Sequence, residues 1–158
     1  MRSLWITPET VYLGAPPGTT PSAVSLAPDG LTAIGPRDDS WPWQHVTTVT
    51  VEDVPARTTT GRPFARVLEV VLGPQSPIEM TVRVETTDGS RFGIPVHSAA
   101  ASAYSVREVE LSQRLLEHFV QGKASPAMLT DWLMKSPRSR TPRLAERESL
   151  LQHWTENP

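Results

Sequence analysis

The chain has 158 residues, with 15 basic and 17 acidic side chains, a formal net charge of −2, 16 prolines and no cysteine. This length suits one domain burying about two thirds of its unfolded surface, with room for an appended helical piece. Without cysteine, disulfides and thiolate chemistry are excluded; with no apolar run of about eighteen residues and no basic-then-apolar leader, the expectation is a cytoplasmic protein without a transmembrane segment. Residues 1–104 hold seven arginines against ten acids, and residues 105–158 hold eight basic side chains against seven acids. Neither half is a polycation, which argues against a nucleic-acid partner, because phosphate neutralisation needs a basic excess on one face.

Short β-rich runs punctuated by proline or glycine fill the first hundred residues, at 3–7, 11–14, 23–26, 31–35, 46–54, 64–72, 80–86 and 90–96. Such spacing predicts an antiparallel sandwich or barrel. The stretch 15–21 contains Pro16, Pro17 and Pro21 and cannot continue a central strand, because proline lacks the ladder donor. At Pro28-Asp29-Gly30 a three-residue loop would pair Val24 with Ile34. In 64–72 alternation fails: Phe64, Leu68, Val70 and Leu72 share one face while Val67 and Val71 take the other, so a second layer must cover it.

The hairpin at 80–96 allows a register argument. A two-residue Asp88-Gly89 turn would oppose Val84 to Gly93 and split the apolar residues between faces. A three-residue loop of Thr87, Asp88 and Gly89 instead pairs Val84 with Phe92, Val82 with Ile94 and Met80 with Val96, leaving Thr81, Arg83, Glu85 and Arg91 on the wet face. Both loops predict positive φ at their glycines, Gly30 and Gly89, where a Cβ would be penalised.

Three helices follow. Ser105 and Glu108 have capping-box spacing, Val109, Leu115, Leu116, Phe119 and Val120 form a broad apolar stripe, and Gly122 ends the helix as a left-handed cap. Ser125-Pro126 opens a second helix that buries Leu129, Trp132 and Leu133 and stops before Pro137; Thr141-Pro142 opens a third carrying Leu144, Leu151 and Trp154. The organisation expected is therefore a β domain with capping helix over 1–122 and a helical tail over 123–158, joined inside by the polar linker 135–143.

About seven antiparallel strands followed by one amphipathic helix resembles the pleckstrin-homology-like (PH-like) fold. The segment 31–52, with Trp41 and Trp43 shortly before the strand Val46-Thr-Thr-Val-Thr-Val, carries the resemblance, which spans about residues 3–121. It is similar to the PH-like domains of bacterial proteins of unknown role, and only two lysines among the basic residues, with many prolines and alanines, resemble the codon bias of an actinobacterium. The resemblance implies an α+β, mainly β fold. The basic first loop with which lipid-binding members grip inositol phosphates has no counterpart, since 15–21 and 27–30 hold no lysine or arginine.

No catalytic constellation emerges. His45, His97, His118 and His153 have no helical metal spacing, the adjacent acids Asp38-Asp39 and Glu52-Asp53 point to opposite sides of a strand, and all nine glycines are isolated rather than grouped in a phosphate loop. The expectation is no enzyme, no metal and no cofactor. Arg57, Arg62 and Arg66 flank a threonine-rich loop that could bind an anion. Lys135, Arg138, Arg140 and Arg143, with Arg147 one turn on, could lie against an anionic membrane. Trp132 and Trp154 sit on helices too short to stand alone, so they dock on the chain's own barrel or on another polypeptide. The leading expectation is a non-catalytic interaction module that binds a protein partner or self-associates through its tail; the alternatives are a peripheral membrane binder and a small ligand-binding or hydrolytic barrel built around His45 or His97.

Overall fold

The computed structural model describes residues 4–18, 21–36, 38–54, 56–57, 79–99, 104–135 and 143–156. Five antiparallel strands, β1 (Leu4–Ile6), β2 (Val11–Leu13), β3 (Ala23–Ala27), β4 (Gly30–Ile34) and β5 (Asp39–Pro42), form one sheet in sequential order. After a 3₁₀ turn at Trp43–His45 comes β6 (Val46–Glu52), and a second antiparallel sheet runs β6, β8 (Glu79–Thr86), β9 (Arg91–His97). The two-residue strands β7 (Ala56–Arg57) and β10 (Tyr104–Ser105) pair in parallel. Three helices follow: α1 (Val106–Val120), α2 (Ala127–Lys135) and α3 (Leu144–Glu156).

The fold is thus mixed α+β, as expected, but among the described residues it has two antiparallel sheets beside the short parallel β7–β10 pair, no closed barrel, and more than seven strands. Both 4–6 and 11–13 are strands. β5 escapes sequence reading because its four residues, Asp-Ser-Trp-Pro, bury only Trp41; Pro42 is tolerated because β5 is an edge strand. The segment 64–72 lies outside the described residues.

One cluster gathers Leu4, Val11, Leu13, Val24, Leu26, Leu31 and Trp41 from the first sheet and Val49, Met80, Val82, Val84 and Val96 from the second. Its helical side is Leu111, Leu115, Leu116 and Phe119 of α1. Trp41 packs on Phe92 with ring centroids 4.9 Å apart, and Trp43 donates its indole N–H to the Ala27 carbonyl at 2.9 Å while facing Phe119. Both indoles are structural elements of this core.

α1 also closes a sheet edge. The Gln113 side chain donates to the Val49 carbonyl at 2.7 Å and accepts from the Val51 N–H at 3.4 Å, so an amide side chain pairs backbone groups that edge strand β6 would otherwise leave open. Gly122, at φ +67°, then ends the helix with its N–H on the Phe119 carbonyl and the Lys123 N–H on the His118 carbonyl, which is the Schellman arrangement.

The β8–β9 hairpin has the expected register: Val84 faces Phe92, Val82 faces Ile94 and Met80 faces Val96. Gly89 has φ +84°, and Asp88 closes the turn by accepting from the Thr86 hydroxyl at 2.6 Å and the Ser90 N–H at 3.0 Å. The β3–β4 hairpin departs from expectation. Its loop is the two residues Pro28 and Asp29, Ala27 faces Gly30, Val24 faces Ala33 and Ala23 faces Ile34, and Gly30 is not left-handed. The expected pairing of Val24 with Ile34 would set Leu26 against Thr32; the one-residue shift sets Leu26 against Leu31 and brings Leu31, Ala33 and Trp41 to the inner face. Gly30 is required for a different reason than turn geometry: a Cβ there would sit 2.3 Å from the Trp41 carbonyl oxygen.

Two glycine substitutions should therefore cost stability by different routes. Gly30→Ala, which forces backbone apart, is expected to lose about 2–3 kcal/mol, and Gly89→Ala, which meets open space but a left-handed φ, about 1 kcal/mol, read as shifts of the urea midpoint at constant slope. Asp88 is held below the ordinary carboxylate range by the Thr86 hydroxyl and then by Ser90. Its contribution is fully present above the unfolded-state pKa and is lost as pH falls through the lower folded-state value. Asp88→Asn should accordingly flatten the acid side of the stability–pH curve, and an unchanged acid limb would show that the turn carboxylate contributes nothing.

Candidate functional site

The tail folds back onto its own chain. Ser125 accepts from the Ala127 N–H at 3.3 Å to start α2, whose Leu129 is completely buried in the core beside β1. In α3 the Glu146 carboxylate accepts from the Arg143 N–H at 2.9 Å, fixing the first turn. Leu151 and Trp154 then turn inward, and Trp154 meets Trp132 edge-on with centroids 5.6 Å apart.

At the centre of the α1–α3 contact is a two-pronged ion pair. Arg147 Nε lies 2.9 Å from Glu108 Oε1 and Nη2 3.3 Å from Oε2, with side chains only 8% and 0% exposed. Around it, the Ser105 hydroxyl accepts from the Glu108 N–H at 3.0 Å and donates to Glu148 Oε1 at 2.5 Å, and Arg107 donates to Gln152 at 2.8 Å. This corrects the capping-box reading by half: Ser105 caps α1 as expected, whereas the Glu108 carboxylate is committed to Arg147. It also removes Arg147 from any basic surface.

With Arg147, Leu151 and Trp154 facing α1, the opposite side of α3 faces outward. Ala145, Glu146, Ser149 and Leu150 line, with Trp132 of α2, an open groove of about 400 Å³. Ala145, Ser149 and His153 are exposed along this face, and Met134, 61% exposed, ends α2 near it in sequence. An open, largely apolar groove that carries the Glu146 carboxylate and the Ser149 hydroxyl offers shape and hydrogen-bonding groups.

The other sequence candidates are dispersed. Trp154 is buried within the chain and Trp132 half-buried, so of the two only Trp132 reaches the groove. Lys135 and Arg143 are exposed, at the end of α2 and just before α3. Arg57 ends β7, whereas Arg62, Arg66, Arg138 and Arg140 lie outside the described residues. His45 and His153 are exposed; Nδ1 of His97 and Nδ1 of His118 are buried without a hydrogen-bond partner. Among the described residues no three His, Asp or Glu side chains come together as a metal site. On the outer face of the second sheet the charges pair: Arg83 with Glu52 at 2.7 Å and Arg91 with Glu85 at 2.9 Å. The Arg83 hydrogen bond lowers the Glu52 pKa.

The groove residues Ala145, Glu146, Ser149 and Leu150 were missed by sequence reading. Their signal was present: Ala145, Ser149 and His153 recur every four residues on the face opposite Leu151 and Trp154, but attention to the buried stripe hid it.

Removing one member of the ion pair leaves a buried charge unpaired. Glu108→Leu alone is expected to cost about 3–5 kcal/mol, while Glu108→Leu combined with Arg147→Leu recovers most of that loss, measured by chemical denaturation of the four proteins of the cycle. A double-variant loss equal to the sum of the two single losses would show that the pair is not coupled.

No family model matches this chain, and neither a curated protein nor a solved structure matches it.

Proposed function

We propose that this chain is a non-catalytic interaction module, PH-like in its ordering of strands before a helix, that docks another polypeptide through the outer face of α2 and α3. The observation that carries the reading is the division of labour on α3. One face is consumed by Glu108, Leu151 and Trp154 packing, and the other is left as an open groove walled by Trp132 and Leu150. Helix-lined apolar grooves of this kind accept side chains projecting from another helix. The sequence supports the same reading by offering no grouped nucleophile, base or phosphate loop, and a bacterial cytoplasm is the setting its cysteine-free composition suggests.

The membrane alternative loses its best-placed charge, because Arg147 is buried against Glu108; what the described residues leave exposed there is Lys135 and Arg143. Each such charge near an anionic surface is worth about 1 kcal/mol.

A photo-crosslinking side chain placed at Ser149 in cells of the source organism should form polypeptide adducts, while the same group at Gln44, exposed on the 3₁₀ turn before β6, should not. Equal labelling from both positions, or none from Ser149, would overturn the docking assignment. Co-sedimentation with anionic vesicles that disappears when Lys135 and Arg143 are neutralised would replace it with the membrane reading.

A further inference from the structure

Strand pairing in the first sheet sets Trp5 against Tyr12, Tyr12 against Ser25, Ser25 against Thr32 and Thr32 against Ser40, so five side chains form one straight row across β1 to β5. They are out of phase with the core residues Leu4, Leu31 and Trp41 and therefore stand on the other side of the sheet. Trp5 is 43% exposed, Ser40 is exposed, and the three between them are part-exposed. We infer that this row binds a neutral oligosaccharide, with the sugar chain lying across the strands.

Charge selects the class of ligand. Of all the residues in β1 to β5 only Asp39 is charged, and it is in phase with Trp41 rather than with the row. The outer face of the second sheet, by contrast, carries the pairs Arg83–Glu52 and Arg91–Glu85. A polyphosphate chain or an anionic lipid surface needs basic side chains to meet it, whereas a neutral polyol needs none. What a polyol does need is present. The hydroxyls of Tyr12, Thr32 and Ser40 make no hydrogen bond among the described residues, and that of Ser25 makes only a long one, at 3.5 Å, to the Thr32 carbonyl. Each hydroxyl both donates and accepts, so it pairs with a sugar hydroxyl in either sense.

Trp5 and Tyr12 form the stacking end of the row. Neither ring packs on another aromatic ring among the described residues, so their flat faces are left for the C–H-rich face of a hexose, while the indole N–H and the phenol serve its hydroxyls. With strands about 4.8 Å apart the row spans about 19 Å, room for about four hexose rings at one ring per strand step. A proline-rich peptide, the other neutral ligand that docks on aromatic side chains, would engage Trp5 and Tyr12 and leave Thr32 and Ser40 unused, so the hydroxyl end is what favours a sugar. An open face of this kind encloses little of its ligand, and the dissociation constant expected is about 1 mM.

Titration of the ¹⁵N-labelled 158-residue chain with maltohexaose, cellohexaose and laminarihexaose, each to about 10 mM, tests this by nuclear magnetic resonance. The Trp5 indole N–H and the amides of Tyr12, Ser25, Thr32 and Ser40 are expected to shift with at least one of the three sugars, and the linkage preferred then identifies the class of glucan. Trp5→Ala should weaken that binding about tenfold or more, and Thr32→Val with Ser40→Ala about threefold or more, each with the rest of the spectrum unchanged. No shift along the row with any of the sugars overturns the inference, and so does binding that neither variant weakens. A proline-rich peptide that shifts Trp5 and Tyr12 where the sugars do not would overturn it in favour of a polypeptide ligand. None of these five residues lines the α2–α3 groove, so the polypeptide-docking reading stands or falls separately.

Discussion

The arrangement of the tail depends on the ion pair between Glu108 and Arg147. Two charges removed from water lose several kcal/mol of solvation each, and a two-pronged contact at 2.9 and 3.3 Å offsets this only because the geometry is good and the surrounding polar groups are paired. Such a pair adds little net stability over an apolar equivalent. What it adds is uniqueness: sliding α3 by one residue along α1 would strand both charges in the interior. Glu108 also lies in the first turn of α1, where the helix dipole favours a negative group. The exposed pairs Arg83–Glu52 and Arg91–Glu85 have similar distances but stand in water, where screening and the entropy of holding two side chains together leave little net gain.

Among the described residues, three sheet edges are blunted or joined to other elements. β6 has its outer backbone groups taken by Gln113, β5 carries Pro42, and β9 carries Pro95 and joins the first sheet through the Ala15 N–H to the His97 carbonyl at 2.8 Å and the Ser22 hydroxyl to the Pro95 carbonyl. The outer face of the second sheet is neutralised pair by pair. Against that background the α2–α3 groove stands out because Trp132 and Leu150, which pack on the core from one side, stay partly open to solvent on the other.

Much of the scaffold was legible in the sequence because its determinants are local. The register of the β8–β9 hairpin follows from requiring one apolar face and from the left-handed preference of Gly89; the ends of α1 follow from Ser105 and Gly122. The β3–β4 register was not legible, since Pro28-Asp29-Gly30 fits a two- or a three-residue loop, and the choice is made by β5, where Trp41 must face Leu31 and approach Gly30. Glu108 shows the same limit from the helical side: its spacing from Ser105 fits a capping box, but a charge 39 residues away claims it. The candidate site was the least legible part. Trp132 was identified, whereas the rest of the groove depends on which face of α3 the long-range ion pair turns inward.

Hydrogen exchange of the α3 amides in the intact chain measures most directly whether the tail is held on α1. A helix of 13 residues is marginal in water by itself, so slow exchange over 147–156 requires docking. The expected result is protection of those amides by about a thousandfold or more, close to that of the α1 core around Leu115 and falling sharply in Glu108→Ala. Exchange at the rate of a free peptide, unaffected by that substitution, would contradict the docked tail and with it the surface that the tail presents.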